Sequence, residues 1–112
     1  MKNINKVTLM GTLTCDPVEK NYDNGSKSVT FSMKTKKFVG KGESKKSITS
    51  YHNIIMWQNV CGCAVELLHR DDEIYLEGEI KSPNKSHEGF EIGTEIVVTE
   101  WTKLNDNNQT EE

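Results

Sequence analysis

Glycines set inside runs of period-two alternation constrain this chain more than any other feature. Lys6-Val7-Thr8-Leu9-Met10-Gly11-Thr12-Leu13 alternates as a half-buried strand does, yet holds Gly11 within it. Glu73-Ile74-Tyr75-Leu76-Glu77-Gly78-Glu79-Ile80 repeats the device. A glycine inside a strand marks a bulge or a sharp bend. A chain with two such strands is built to curl a sheet rather than to lay it flat.

The remaining elements follow from the same reading. Asp16-Pro17 ends the first strand, because proline cannot donate to a ladder. Asp23-Asn24-Gly25-Ser26 is a turn signal. Ser28 to Lys36 alternates again, with Val29, Phe31 and Met33 on one face, and Ile48 to Trp57 forms the returning strand. The polar, glycine-containing link from Val39 to Ser47 makes the pair a long hairpin with a flexible tip. Val60, Ala64, Leu67 and Leu68 recur at helical spacing, which predicts a helix from Val60 to about His69, capped by Asn59. Gly62 inside it costs about 1 kcal/mol relative to alanine, so this helix must lean on tertiary packing. After the fourth strand, Ser82-Pro83-Asn84 opens a second loop, and Gly93 to Trp101 supplies a fifth strand. Trp101 ends an apolar strand and reads as structural. The expected fold is all-β with one helix: a five-stranded OB-fold barrel, the helix between strands three and four. Residues 1–104 form this one domain. Residues 105–112 form a polar, acidic tail expected to be disordered.

Charge is distributed unevenly. The chain has 112 residues and a formal net charge of −3, which argues against a polyanionic partner. Yet Lys34, Lys36, Lys37, Lys41, Lys45 and Lys46 crowd one short stretch, opposed there only by Glu43. A local basic surface steers a polyanion even on a mildly acidic molecule, although a solvated lysine-rich loop accounts for the run equally well. Aromatic residues tilt the balance toward the first reading. Phe38 follows Lys36-Lys37, and Tyr51 and Trp57 lie six residues apart, on one face by period-two counting. Trp57 taken alone suits a core as well as a surface. Asn53 shares its face, however, and Ile54 and Met56 already supply the interior from the other side. Lysines beside exposed rings are what single-strand binders use: phosphates are neutralised while bases stack.

Other chemistries find little footing. Three cysteines exclude a full disulfide framework, and the C-x-C of Cys61 and Cys63 reads better as two small apolar residues than as a metal site. His52, His69 and His87 have no ligand-like spacing. There is no glycine-rich phosphate loop and no nucleophile paired with a base, so no enzyme and no cofactor are expected. No run reaches the length of a membrane helix, and the first residues lack a secretory pattern, so an intracellular protein is the simplest expectation.

At this point the sequence resembles the bacterial and phage single-stranded DNA-binding proteins. The resemblance starts at Asn5 to Leu13 with Asp16-Pro17 and runs through Asn24-Gly25 and Val29-Thr30-Phe31-Ser32-Met33. It continues in Tyr51-His52-Asn53-Ile54-Ile55-Met56-Trp57, in Glu73 to Ile80, and in Thr94 to Val98, and covers roughly residues 5–104. It implies that Phe38, Tyr51 and Trp57 stack on bases. It also makes Lys6, Lys20, Lys34, Lys36, Lys37 and Lys81 candidates for phosphate contacts. Lys85 stands where many relatives carry Trp or Phe, with Phe90 as a nearby substitute. His52 matches a histidine at subunit contacts. Members usually form homotetramers, with a homodimer as the lesser alternative, and act in cytoplasmic replication, recombination or repair. Cellular members commonly end in an acidic tip closing on Pro-Phe. The terminal Asn107 to Glu112 is acidic without that aromatic, which leaves recruitment of partner enzymes unsupported. Two rivals stand beside this reading. One is a primosomal-type accessory protein that binds strands weakly and docks on replication partners. The other is a protein-interaction barrel whose lysines are merely solvated. RNA remains a competing strand type, since stacking does not read the 2′-hydroxyl.

Overall fold

A computed structural model describes residues 2–82 and 93–104. Six strands form one sheet: β1 (Val7–Leu13), β2 (Val18–Asn21), β3 (Lys27–Val39), β4 (Lys46–Trp57), β5 (Glu73–Lys81) and β6 (Glu95–Lys103). Two helical turns, α1 (Gln58–Cys61) and α2 (Ala64–Leu67), separate β4 from β5. The strand order is β1-β5-β6-β4-β3-β2, and a second pairing of β1 with β3 closes the barrel. Neighbours are antiparallel except β4 and β6, which run parallel over Asn53–Ile55 and Glu95–Val97. The expected five-stranded OB-fold barrel is therefore present, formed by β1, β3, β4, β5 and β6. Among the described residues no helix is long and apolar enough to cross a membrane.

Closure depends on β1 changing partners. It pairs with β5 from Val7 to Thr12 and reaches β3 at Thr12↔Lys34 and Leu13↔Met33. At the transfer point a methyl group on Gly11 would run into the Lys34 carbonyl oxygen, so the two backbones meet there only because no side chain intervenes. The ladder between β5 and β6 slips at Glu77/Gly78, where a methyl group on Gly78 would strike the Val97 carbonyl. Both in-strand glycines thus do what the sequence predicts: they allow the sheet to bend onto itself.

The β2 segment escapes sequence reading because Val-Glu-Lys-Asn is four residues long and fully exposed. It continues along the same edge of β3 that the end of β1 occupies, from Val18↔Thr30 to Asn21↔Lys27. The core collects alternate residues from the strands: Leu13, Val29, Phe31, Met33, Ile54, Met56, Ile74, Leu76, Ile96 and Val98. Below it, Cys61, Ala64 and Leu68 plug the barrel end. Trp101 packs against the core and donates its Nε1–H to the Val60 carbonyl at 2.9 Å, which fits its structural reading.

The helix differs from expectation. It is two short turns rather than one run from Val60 to His69, and Trp57, not Asn59, occupies the N-cap position. Gly62 breaks it, with φ 50° and ψ −123°. Cys61 is buried with Ala64 and Leu68, whereas Leu67, expected on the inward face, is exposed. Cys63 is exposed as well, so only one of the two cysteines behaves as an apolar plug. The loop that follows is secured by Asp72, whose carboxylate accepts from the His69 N–H at 2.8 Å and lies 3.5 Å from Lys103 Nζ.

Replacing Gly11 by alanine should destabilise the barrel by about 1–3 kcal/mol, the usual cost of forcing extra volume into a packed site. The midpoint of urea unfolding measures it, and an unchanged midpoint would mean that the β1–β3 approach is looser than the geometry shows.

Candidate nucleic-acid interface

In an antiparallel ladder, residues directly opposite each other share a face. In β3 and β4 the opposed pairs include Ser28↔Trp57, Ser32↔Asn53, Lys34↔Tyr51, Lys36↔Thr49 and Phe38↔Ser47. Phe38, Tyr51 and Trp57 therefore stand on one face with Lys34 and Lys36, while Val29, Phe31, Met33, Ile54 and Met56 point into the barrel. The three rings are 61%, 68% and 36% exposed, so none serves as core. At roughly 3.3 Å per residue, Tyr51 lies about 20 Å from Trp57 along β4, and the position opposite Phe38 about 13 Å beyond Tyr51. The rings form a spaced file, which suits successive bases better than it suits one compact ligand.

The lysines divide by face. Lys34 and Lys36 flank the rings. Lys37 and Lys46 occupy the reverse face, opposite Ile48 and Val39 respectively. Lys45 folds back with Nζ 5.1 Å from the Phe38 ring centroid, a cation–π contact that places charge beside an exposed ring. Lys41 sits at the hairpin tip, before the single 3-10 turn Gly42–Ser44. Lys20 lies on β2 directly opposite Ser28 of β3, and Lys81 ends β5 opposite Glu95. Lys6 is 3.7 Å from Glu77, which also accepts from the Tyr75 hydroxyl. The Tyr75 hydrogen bond chiefly holds the Glu77 carboxyl below its ordinary range, with Lys6 assisting, so Lys6 already has an ionised partner. The same hydrogen bond raises the Tyr75 hydroxyl. Lys85 and Phe90 lie outside the described residues. His52 points away from the rings, half-buried, with Nε2 2.9 Å from Thr35 Oγ1.

One aromatic residue beside the rings is invisible to strand patterning. Tyr22 closes the turn after β2, and its ring centroid lies 5.8 Å from that of Trp57, tilted by 35°. Its hydroxyl is 3.3 Å from Oγ of Ser28, the buried residue directly across the ladder from Trp57. Lys20 Nζ stands 5.1 Å from the Tyr22 ring centroid. The file of rings thus ends in a Trp57–Tyr22 pair with a cation on its outer side. The signal in the sequence was the Asp23-Asn24-Gly25 turn, which folds Tyr22 back alongside β3. Between Trp57 and Tyr51 the same face opens into a groove of about 440 Å³, bordered by Cys15, Val18, Thr30, Ser32, Asn53 and Glu95. Among the described residues no group of three or more His, Cys, Asp or Glu gathers to hold a metal ion.

Replacing Tyr22 by alanine should release the Trp57 ring and cost about 0.5–1.5 kcal/mol of stability beyond lost area, as for other aromatic pairs. In a Trp101→Phe background, where Trp57 is the sole emitter, a red shift and lower anisotropy are expected. Unaltered emission would show that Tyr22 does not support the ring.

With this geometry established, comparison with known proteins is specific. A model of the single-strand binding protein family matches residues 4–105. A single-stranded DNA-binding protein of Bacteroides thetaiotaomicron is 30% identical over 107 residues, which cover 91% of this chain and 66% of that protein. Single-stranded DNA-binding protein 1 of Xylella fastidiosa is 31% identical over 97% of this chain and 85% of its own length. A Neisseria meningitidis protein of the same description is 30% identical over 96% of this chain and 63% of its length. The chain thus spans slightly less than two thirds of the Bacteroides and Neisseria relatives. A solved structure of a Plasmodium falciparum SSB complex with ssDNA superposes with a TM-score of 0.82 at 26% identity, covering 94% of this chain and 98% of that one. The order of strands, the plugged barrel end and these matches over nearly the whole barrel agree: the chain belongs to the single-strand binding protein family.

Proposed function

We propose that this protein binds single-stranded DNA without sequence preference and shields it during replication, recombination or repair in the bacterial cytoplasm or a phage-infected host. The observation that carries the reading is the file of three exposed rings, Phe38, Tyr51 and Trp57, with Lys34 and Lys36 interleaved on the same face of β3 and β4. Capture is electrostatic and releases counterions. Stacking then holds the bases, contributing about 1–3 kcal/mol per ring. Lys37, Lys41, Lys45, Lys46, Lys20 and Lys81 extend the attraction around the hairpin and along its flanks, and Lys85 and Phe90 belong to the same proposed surface. Lys6 contributes least, because Glu77 already occupies it. Family membership supports the reading, as does a structural neighbour described in complex with ssDNA. Homotetramer assembly, with His52 at a subunit contact, belongs to the same proposal.

The test is fluorescence titration with oligo-dT, read through Trp quenching. Trp57→Ala and Phe38→Ala should each weaken binding by about 1–3 kcal/mol. Native affinity should fall steeply with salt, and removing Lys34 and Lys36 together should reduce the log–log slope by about 1.4, or 0.7 per phosphate. Unchanged affinity in both ring variants would overturn the stacking mechanism. Weak native binding at physiological salt would favour an accessory protein that docks on replication partners. Tighter binding to oligo-U than to oligo-dT would reassign the strand type.

A further inference from the structure

The groove between Trp57 and Tyr51 has a composition that phosphate binding does not explain. Its border includes the Thr30 hydroxyl and, set against the apolar flank of Val18, the Ser32 hydroxyl, the Asn53 amide and the Glu95 carboxylate. Ser32 and Asn53 oppose each other in the β3–β4 ladder, and Asn53 stands in register with Glu95 where β4 and β6 run parallel. The three side chains therefore share the outer face with the stacking rings. At the rim, Gly93 keeps the mouth clear: a methyl group there would come within 3.1 Å of Asn53 Nδ2. A volume of about 440 Å³ lies within the roughly 300–1,000 Å³ typical of small-ligand clefts.

We infer that this groove is a nucleobase subsite that favours bases carrying an exocyclic amino group, with the Glu95 carboxylate as the acceptor that reads it. The inference rests on the single-strand binding proposed above. Lys81 stands opposite Glu95 in the β5–β6 ladder and offers the phosphate a cation, while the carboxylate repels phosphate and is left to the base. That carboxylate only accepts hydrogen bonds. Cytosine offers N4–H₂ donors at the position where thymine offers the O4 acceptor, and a carboxylate accepting from cytosine N4 is an established pairing. Ser32 and Asn53 each carry both donor and acceptor and so tolerate either base. Glu95 is the member of the set that discriminates. The result is a mild local preference within a binder whose rings are indifferent to sequence.

The experiment titrates the full chain with oligo-dC and oligo-dT of equal length at pH 8, comparing native protein with Glu95→Gln and with Glu66→Gln. Glu66 is exposed on α2 and does not line the groove, and its substitution removes the same charge. Glutamine at position 95 offers an amide donor to thymine O4, so the ratio of dC to dT affinity should shift toward dT by about threefold to tenfold. Glu66→Gln should leave that ratio unchanged. If Glu95→Gln tightens both strands equally, or shifts neither, Glu95 acts only as a general charge and the subsite is refuted. If the native protein binds neither strand, the proposed function fails and takes the subsite with it. The two failures are thus distinguishable.

Discussion

The ladder between β3 and β4, from Ser28↔Trp57 to Val39↔Lys46, is the interaction on which the rest depends. Its register sorts every residue of the hairpin to one side or the other. Val29, Phe31, Met33, Ile54 and Met56 go inward, while Lys34, Lys36, Phe38, Tyr51, Asn53 and Trp57 go outward. A slip by one residue would exchange the two sets, burying Lys34 and Asn53 and exposing Met33 and Ile54. The cost of such an exchange is what fixes the positions of Phe38, Tyr51 and Trp57, since each is otherwise an exposed side chain with few local restraints. Core packing and ring display are therefore one constraint seen from two sides.

Barrel closure supplies the curvature. The two in-strand glycines let β1 pass from β5 to β3 and let β5 slip against β6, so that the sheet bends without breaking its ladder. The segment β2 then carries the line of β1 along β3 and delivers Lys20 and Tyr22 to the Trp57 end of the file. Surface features that look separate in the sequence meet because the edge of one strand is shared by two segments. Asp72 performs a comparable service at the other end, tying the turn after α2 to Lys103 on β6.

Most of this was legible where physics acts locally. Period-two alternation identified the faces of β3 and β4, and with them the exposure of Tyr51 and the inward turn of His52. Glycines in strands foretold the bends. What the sequence withheld depended on distant partners. Tyr22 looks like a turn residue until the fold sets it against Trp57. Lys6 looks like a free cation until Glu77, seventy-one residues later, is brought to it. The helix was misjudged because periodicity assumes an unbroken run, and Gly62 interrupts that run between two short turns. The Val18–Asn21 strand has no apolar pattern because neither of its faces is buried, leaving only backbone pairing to define it.

The partners of the hairpin run out before the hairpin does. Among the described residues, β3 beyond Lys34 pairs only with β4, and β4 before Asn53 pairs only with β3. From there to the tip it is a two-stranded ribbon, the kind of structure that twists most strongly and is marginally stable alone. Trp57 is consequently anchored to the barrel, whereas Phe38 rides on a compliant arm. One end of the file is a fixed reference and the other an adjustable finger. If a single strand is laid along it as proposed, one ring would seat it firmly and the other would follow it, letting the same surface meet strands of different local curvature without disturbing the core.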